Sequence, residues 1–184
     1  MARIDTKTGD DGTTGLFYGG RVSKADPQPR AYGAVDEAQA ALGLVRALGD
    51  LSDDEATLVI EVESELYVAM AELATAAANR HKLVDGQTRV TAGMVTRLED
   101  LIGIYSARFE MPTEFVIPGG NRASALLDFA RTVVRRAERE VVAVPDYDGE
   151  AVRYLNRLSD LLWVLARALE GESLQARQYR QSRD

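Results

Sequence analysis

The chain has 184 residues, none of them cysteine, and a single histidine, His81. Disulfides, thiolate metal sites and a cysteine nucleophile are therefore excluded. A di-iron bundle needs Glu-x-x-His pairs on two helices, and it is excluded as well because Ala78 stands three residues before His81. Basic side chains are also scarce, since 22 Lys and Arg against 29 Asp and Glu give a net charge of −7. We therefore expect no nucleic-acid partner.

Long apolar runs are missing too. The chain has no stretch of about 18 uncharged apolar residues and no apolar N-terminal run with a basic flank. We therefore expect a cytoplasmic protein without membrane contact. The length and the hydrophobic content of 46% suit one domain with its own core. We expect that domain to cover residues 1–184, with an N-terminal loop over 1–30, a helical bundle over 31–171 and a tail over 172–184.

Helical periodicity is what the chain has in abundance. Apolar residues recur every three or four positions in five segments, at about 31–48, 52–79, 91–108, 121–142 and 150–170. No long alternating strand pattern is present. The periodicity predicts an all-α bundle of five helices. We expect a turn at Pro27–Pro29 before the first helix, and a tail after Gly171 that is mobile or ordered by a ligand.

The helix predicted at 121–142 carries two stripes. One is apolar and faces the core, whereas Arg131, Arg135 and Glu138 project along one line at the border of that face. This position suits a partly buried anion site, although a salt-bridged surface face is an alternative that this helix alone leaves open. The helix predicted at 150–170 repeats the arrangement with a second line of Asn156, Asp160, Trp163 and Arg167.

The N-terminal segment is dense in glycine and threonine. Residues 6–15 read TKTGDDGTTG, and Lys24 follows after a short interval. Glycine amides, threonine hydroxyls and lysine ammonium groups together suit a phosphate cradle. The spacing of a Walker A loop is absent, and Asp10 and Asp11 would repel phosphate unless Mg²⁺ intervened. The alternative is a flexible tail whose aspartates make turns.

Six sequence blocks span most of the chain: TKTGDDGTTGL at 6–16, RVSK at 21–24, AYGAVDE at 31–37, FVIPGG at 115–120, ARTVVRRAERE at 130–140 and YLNRLSD at 154–160. In this order they resemble the PduO-type ATP:cob(I)alamin adenosyltransferases. The resemblance implies a five-helix bundle of the ferritin-like type, assembled as a homotrimer with ATP between adjacent subunits. It also implies transfer of the 5′-deoxyadenosyl group of ATP to cob(I)alamin, giving adenosylcobalamin and triphosphate.

The same resemblance implies roles for individual residues. The N-terminal loop would wrap the phosphates of ATP through Thr6, Thr8, Gly9, Asp11, Gly12, Thr13, Thr14 and Lys24. Arg135, Glu138 and Asn156 match positions that contact the nucleotide. Asp36 and Arg131 match a salt-bridge pair across the subunit boundary.

Catalytic contributions are expected from Arg135, Lys24 and Phe115. Cobalt(I) is itself the nucleophile, so no general base is needed, and Arg135, Lys24 and Mg²⁺ would neutralise the leaving triphosphate. Phe115 matches an aromatic against the lower face of the corrin ring, where it would displace the lower axial ligand. We also expect the Pro-Gly-Gly turn at 118–120 to place Phe115 at the mouth of the site that Arg135 and Glu138 form.

The resemblance also implies Mg²⁺ with ATP as the cofactor and cobalamin as the second substrate. The sequence leaves open whether a monovalent cation joins Mg²⁺. It also leaves open which adenosylcobalamin-dependent enzyme would receive the product. A non-catalytic bundle that binds nucleotide or corrinoid as a sensor or carrier is the remaining alternative.

Overall fold

The computed structural model describes residue 5 and residues 7–181, so Thr6 lies outside the described residues. This part of the chain contains five long helices: α1 (Pro27–Leu48), α2 (Asp53–Leu73), α3 (Ala92–Ser106), α4 (Arg122–Val142) and α5 (Ala151–Glu170). A short α6 (Ala176–Gln181), a 3-10 turn (Ala77–Lys82) and an antiparallel pair of strands, β1 (Thr13–Gly15) and β2 (Arg21–Ser23), accompany them. The mainly helical fold is confirmed. None of the described helices is long and apolar enough to cross a membrane.

The first two helices differ from their predicted bounds. Helix α1 begins at Pro27, where a turn was predicted, because proline is tolerated in the first helical turn, whose N–H groups lack helical partners. Helix α2 ends at Leu73, six residues before the predicted limit. The N-terminal segment contacts the chain at this point, because the Phe17 amide donates to the Ala74 carbonyl at 2.9 Å.

Helix α4 begins as the sequence predicts. The Asn121 side chain accepts from the Ser124 amide at 2.8 Å, and the Ser124 hydroxyl accepts from the Asn121 amide at 3.0 Å. These reciprocal bonds form a capping box that satisfies two amides at the helix start. The cap fixes the register of every side chain that follows on α4.

Helix α4 packs between α1 and α5, while α2 lies against α1 and α3 against α5. Helices α1 and α4 are antiparallel, because Arg30 pairs with Glu140 at 3.4 Å near one end and Arg122 pairs with Asp50 at 2.9 Å near the other. Each long helix contributes a fully buried leucine to a common core: Leu42, Leu66, Leu98, Leu127 and Leu158.

The segment after α5 makes backbone contacts with the stretch that precedes α4. The Ile117 amide donates to the Leu174 carbonyl at 2.8 Å, and the Ala176 amide donates to the Phe115 carbonyl at 2.9 Å. Helix α6 follows directly. The expectation of a tail that is mobile or ordered by a ligand is therefore wrong for residues 174–176, because their backbone groups are already paired within the chain.

Candidate functional site

A seam of polar side chains runs between α4 and α5, which are antiparallel. We use the name polar seam for Asp128, Arg131, Arg135, Glu138, Asn156 and Arg167. At one end Asn156 Nδ2 donates to Glu138 Oε1 at 3.0 Å, and at the other an Arg167 NH2 group donates to Asp128 Oδ2 at 2.7 Å. These two contacts lie ten residues apart on α4, or about 15 Å at 1.5 Å per residue. The two lines predicted from the sequence therefore face each other.

The middle of the polar seam carries two arginines one helical turn apart. Arg131 is partly buried, and its Nε donates to Asp128 Oδ1 at 3.1 Å. Arg135 is exposed, and its guanidinium forms no hydrogen bond or ion pair with any other residue among 5 and 7–181. Like charges at this spacing repel. The middle of the seam is therefore suited to an anion.

Asn156 is held in one orientation. Its Oδ1 accepts from Arg157 at 2.8 Å, and Arg157 is itself anchored by Nε to Glu99 at 2.8 Å. The amide therefore presents Nδ2 to Glu138. The second carboxylate oxygen of Glu138 has no partner within the described chain, and it can accept from a ligand hydroxyl or amine.

The predicted phosphate cradle is a small hairpin, not a flexible tail. Asp11 Oδ1 accepts from the Thr13 amide at 2.9 Å and from the Thr13 hydroxyl at 2.8 Å. Both bonds lower the pKa of the Asp11 carboxyl, and the bond from the Thr13 backbone amide has the larger effect. Arg21 donates through Nε to the Thr13 hydroxyl at 3.0 Å and through NH2 to the Thr8 carbonyl. The Thr13 hydroxyl is thus already hydrogen-bonded to Asp11 and Arg21 within the loop.

Lys24 lies over the same hairpin. Its Nζ donates to the Gly9 carbonyl at 2.8 Å, which uses one of the three ammonium donors and leaves two for a ligand. A Cβ at Gly9 would lie 3.0 Å from the Thr13 carbonyl and 3.1 Å from Lys24 Nζ, so this close approach favours glycine. Gly12 has φ +82°, a conformation that also favours glycine. Thr14 pairs with Val22 in the strand ladder.

The hairpin is anchored at the end of the bundle where α4 finishes and α5 begins. Phe17 pairs with the C-terminal end of α2, and Gln28 in the first turn of α1 donates to the Leu73 carbonyl at 3.0 Å. The first turn of α1 is also tied to the last turn of α4 through the pair of Arg30 and Glu140. The hairpin and the Glu138–Asn156 contact therefore lie at the same end.

Phe115 lies at the other end of α4. Its side chain is 91% exposed and borders a pocket of about 420 Å³ lined also by Glu114, Ala176, Arg177 and Arg180. Glu138 is 16 residues beyond the start of α4, or about 24 Å along its axis. Within one chain, the Pro-Gly-Gly turn therefore does not bring Phe115 to Glu138.

Asp36 and Arg131 are not brought together within the chain. Asp36 is exposed on the outer side of α1 and forms no ion pair with another described residue, whereas Arg131 pairs with Asp128 on its own helix. The structure contains one subunit, so the pairing of Asp36 with Arg131 of a neighbour stays a prediction.

Two buried polar clusters were not assigned from the sequence. At one end of the polar seam, Asp128 and Arg167 are 4% and 1% exposed. At the opposite end of the bundle, Glu72 is 4% exposed and accepts from the Val90 amide at 2.7 Å and the Tyr147 hydroxyl at 2.8 Å. Burial raises the pKa of Glu72. Burial of these side chains depends on helix packing, which spacing along one helix does not reveal.

The fold defines an α-helical bundle protein with a polar seam between α4 and α5, and the comparisons place it in a family. Residues 4–169 match the family model described as cobalamin adenosyltransferase. The chain is 42% identical over 172 residues to a corrinoid adenosyltransferase of Mycobacterium tuberculosis (strain ATCC 25618 / H37Rv), covering 91% of this chain and 88% of that relative. The chain belongs to the cobalamin adenosyltransferase family, and it is an adenosyltransferase of the PduO type.

Further relatives agree with this assignment. A cobalamin adenosyltransferase of Cupriavidus metallidurans is 40% identical over 172 residues, which cover 92% of this chain and 89% of the relative. A solved structure of a variant PduO-type ATP:corrinoid adenosyltransferase from Lactobacillus reuteri, complexed with cobalamin and ATP, superposes with a TM-score of 0.85 and 26% identity. That match covers 95% of this chain and 97% of the other.

Proposed function

We propose that the protein transfers the 5′-deoxyadenosyl group of ATP to cob(I)alamin, with ATP held along the polar seam and the N-terminal hairpin. The observation that carries this proposal is the exposed guanidinium of Arg135, which has no partner within the described chain and stands between two fixed contacts of the seam. The proposal is supported by the family membership, and by the Lactobacillus reuteri relative that was solved with cobalamin and ATP.

In this reaction the substrates themselves supply both the nucleophile and the leaving group. The electron pair of cobalt(I) forms a bond to C5′ of ATP, the bond from C5′ to the triphosphate oxygen breaks, and triphosphate leaves with that electron pair. No proton needs to move. The protein therefore has to align the two substrates and to stabilise negative charge on the leaving group. Arg135 and Lys24 supply fixed positive charge for the second task.

The geometry supports roles for individual residues. Lys24 Nζ has two donors left after its bond to Gly9, so it and the unpaired Arg135 would contact the phosphates. Glu138 and Asn156 accept and donate towards the nucleoside, with Asn156 oriented by Arg157. Thr13 shapes the loop from within, because its hydroxyl is already bonded to Asp11 and Arg21.

Mg²⁺ would enter as a companion of ATP. Among residues 5 and 7–181, no group of three or more acidic or histidine side chains could hold a metal ion. The described residues thus offer no protein cage for the ion, and the phosphate oxygens would supply most ligands. Asp11 fits a supporting role beside the hairpin, because its carboxylate is ionised at neutral pH and its contacts to Thr13 and Arg21 use Oδ1. The bound ion would add positive charge at the leaving triphosphate.

We propose a homotrimer in which Asp36 of one subunit pairs with Arg131 of the next. The outer face formed by α1 and α4 supports an interface between copies. Glu37 pairs there with Arg136. Leu44 lies seven residues after Glu37 on α1, and Phe129 lies seven residues before Arg136 on the antiparallel α4, so the two are at a similar level of the bundle. They are 45% and 52% exposed. Large apolar side chains exposed side by side are typical of an interaction surface.

Cobalamin turnover tests the proposal directly. Purified protein is mixed with MgATP and chemically reduced cobalamin under anaerobic conditions, and the visible spectrum is followed from cob(I)alamin to adenosylcobalamin. We expect complete conversion at a rate proportional to protein concentration. ATP binding without that spectral change would instead identify a sensor or carrier and would refute the transferase.

A further inference from the structure

A chain of buried charges connects the segment after α5 to the polar seam. Glu170 and Arg167 pair at 2.8 Å, Arg167 pairs with Asp128 at 2.7 Å, and Asp128 pairs with Arg131 at 3.1 Å. We propose that Asp128 and Arg167 are positioning residues that orient Arg131, and thereby couple the C-terminal segment to ATP binding. This inference rests on the proposed function, because it takes Arg131 to act at the ATP-bearing subunit boundary.

The three inner members of this buried relay, Asp128, Arg167 and Glu170, are shielded from water. Their side chains are 4%, 1% and 1% exposed. Charges at such depth are stable only when each is paired. The alternation of acid and base satisfies this condition, and it means that no member can be moved without affecting its neighbour.

The two ends of the relay, Arg131 and Ser173, are only partly buried. Arg131 is 26% exposed, so its guanidinium can meet a ligand or another subunit. At the other end, the Ser173 hydroxyl donates to Glu170, and Ser173 directly precedes the residues that pair with 115–117. A Cβ at Gly120 would lie 3.0 Å from Glu170 Oε2, so the Pro-Gly-Gly turn also packs against the relay.

The geometry argues for orientation and not merely for burial. Asp128 uses Oδ1 for Arg131 and Oδ2 for Arg167, so rotation of its carboxylate would change both contacts. The Arg167 guanidinium lies 5.6 Å from the centre of the Trp163 ring, which restrains it from a third side. Arg131 therefore starts from one defined position before it meets a neighbouring subunit.

A double-mutant cycle on ATP binding tests the relay. The dissociation constant of MgATP is measured by calorimetry for the wild type, Asp128→Asn, Arg131→Ala and the double variant. We expect Asp128→Asn to weaken binding about tenfold, the value of one hydrogen bond to a charged group. In the Arg131→Ala background the same change should weaken binding less than twofold. Equal factors in both backgrounds, or no effect of either single variant, would overturn the relay.

Two further variants guard against a purely structural explanation. Val62→Ala removes buried volume from α2, where Val62 is 3% exposed, and should lower the melting temperature without changing ATP affinity. Ser173→Ala removes a single hydrogen bond at the far end and should weaken ATP binding about threefold. If Ser173→Ala changes nothing and Val62→Ala weakens ATP binding as much as Asp128→Asn does, the relay is refuted.

The cycle also separates this inference from the proposed function. Wild-type protein that binds MgATP but forms no adenosylcobalamin would refute the transferase, while the cycle would still decide the relay. Wild-type protein that does not bind MgATP would overturn both. Normal turnover with an additive cycle would refute the relay alone.

Discussion

Replacement of Arg135 by alanine separates stability from catalysis. The guanidinium is exposed and has no partner among residues 5 and 7–181, so its removal leaves no described group unpaired. We expect a change in the free energy of unfolding within about 0.5 kcal/mol. For a chain of this length that corresponds to a shift in melting temperature of about 2 °C at most.

The catalytic effect of Arg135→Ala should be much larger. A fixed donor that meets charge developing on a leaving group is worth about 100- to 1000-fold in rate, or about 2.7 to 4 kcal/mol. We therefore expect kcat/KM for adenosylcobalamin formation to fall by about that factor, measured from the cob(I)alamin absorbance decay. Arg46→Ala is the matched control, because Arg46 is also an exposed arginine but pairs with Glu63 between α1 and α2.

The control should keep kcat/KM within about twofold, since a surface ion pair contributes little. If Arg135→Ala retains near-normal turnover, or if both variants lose activity equally, the assignment of Arg135 to the leaving triphosphate is wrong. A large drop in melting temperature for Arg135→Ala would instead show that the side chain has a structural partner.

Three other predictions concern the subunit boundary and the Glu72 cluster. Asp36→Asn should weaken the trimer by about 2 kcal/mol or more, seen as a concentration-dependent shift to monomer in sedimentation velocity; an unchanged trimer with normal ATP affinity would contradict the pairing with Arg131. Gly149→Ala should lower stability by about 2 kcal/mol or more, because an added Cβ would overlap Glu72 Oε1 and the Tyr147 hydroxyl; a melting temperature equal to wild type would exclude that overlap. Burial raises the folded-state pKa of Glu72 above its usual 4.5, so its favourable contribution is complete below pH 4.5 and is lost as pH rises through the folded-state pKa. The melting temperature of the wild type relative to Glu72→Gln should therefore fall as pH increases from 4.5. A rise would show that the pKa of Glu72 is not raised in the folded state.

Features that depend on one helix were predictable from the sequence. The start of α4 follows from the Pro-Gly-Gly turn and from Asn121, and the structure shows the cap. The line of Arg131, Arg135 and Glu138 follows from spacings of four and three residues, because these fix a common side of any α-helix. Its polar counterpart on α5 was predictable for the same reason.

Features that depend on contacts between distant segments were not predictable. Helix α2 stops at Leu73 because the N-terminal segment pairs with Ala74, although the apolar periodicity continues beyond it. The tail after Gly171 has no apolar pattern, yet its backbone pairs with residues 115–117. Asp128 has no signal in the sequence for its burial, which depends on the contact with Arg167 of α5. In each case the deciding partner is at least 39 residues away in the sequence.

The polar seam shows how an acidic protein can keep one place for an anion. Its two ends are held by internal contacts, in which Asn156 Nδ2 donates to Glu138 and Arg167 donates to Asp128. Arg131 is paired with Asp128, whereas the guanidinium of Arg135, one turn further along α4, has no partner among residues 5 and 7–181. Repulsion between two like charges at this spacing costs a few tenths of a kcal/mol. A bound polyphosphate would reduce that repulsion. Arg135 would not have to leave an acidic partner in order to contact it. Because the net charge of the chain is −7, a field that attracts the ATP proposed to bind here must come from such local placement.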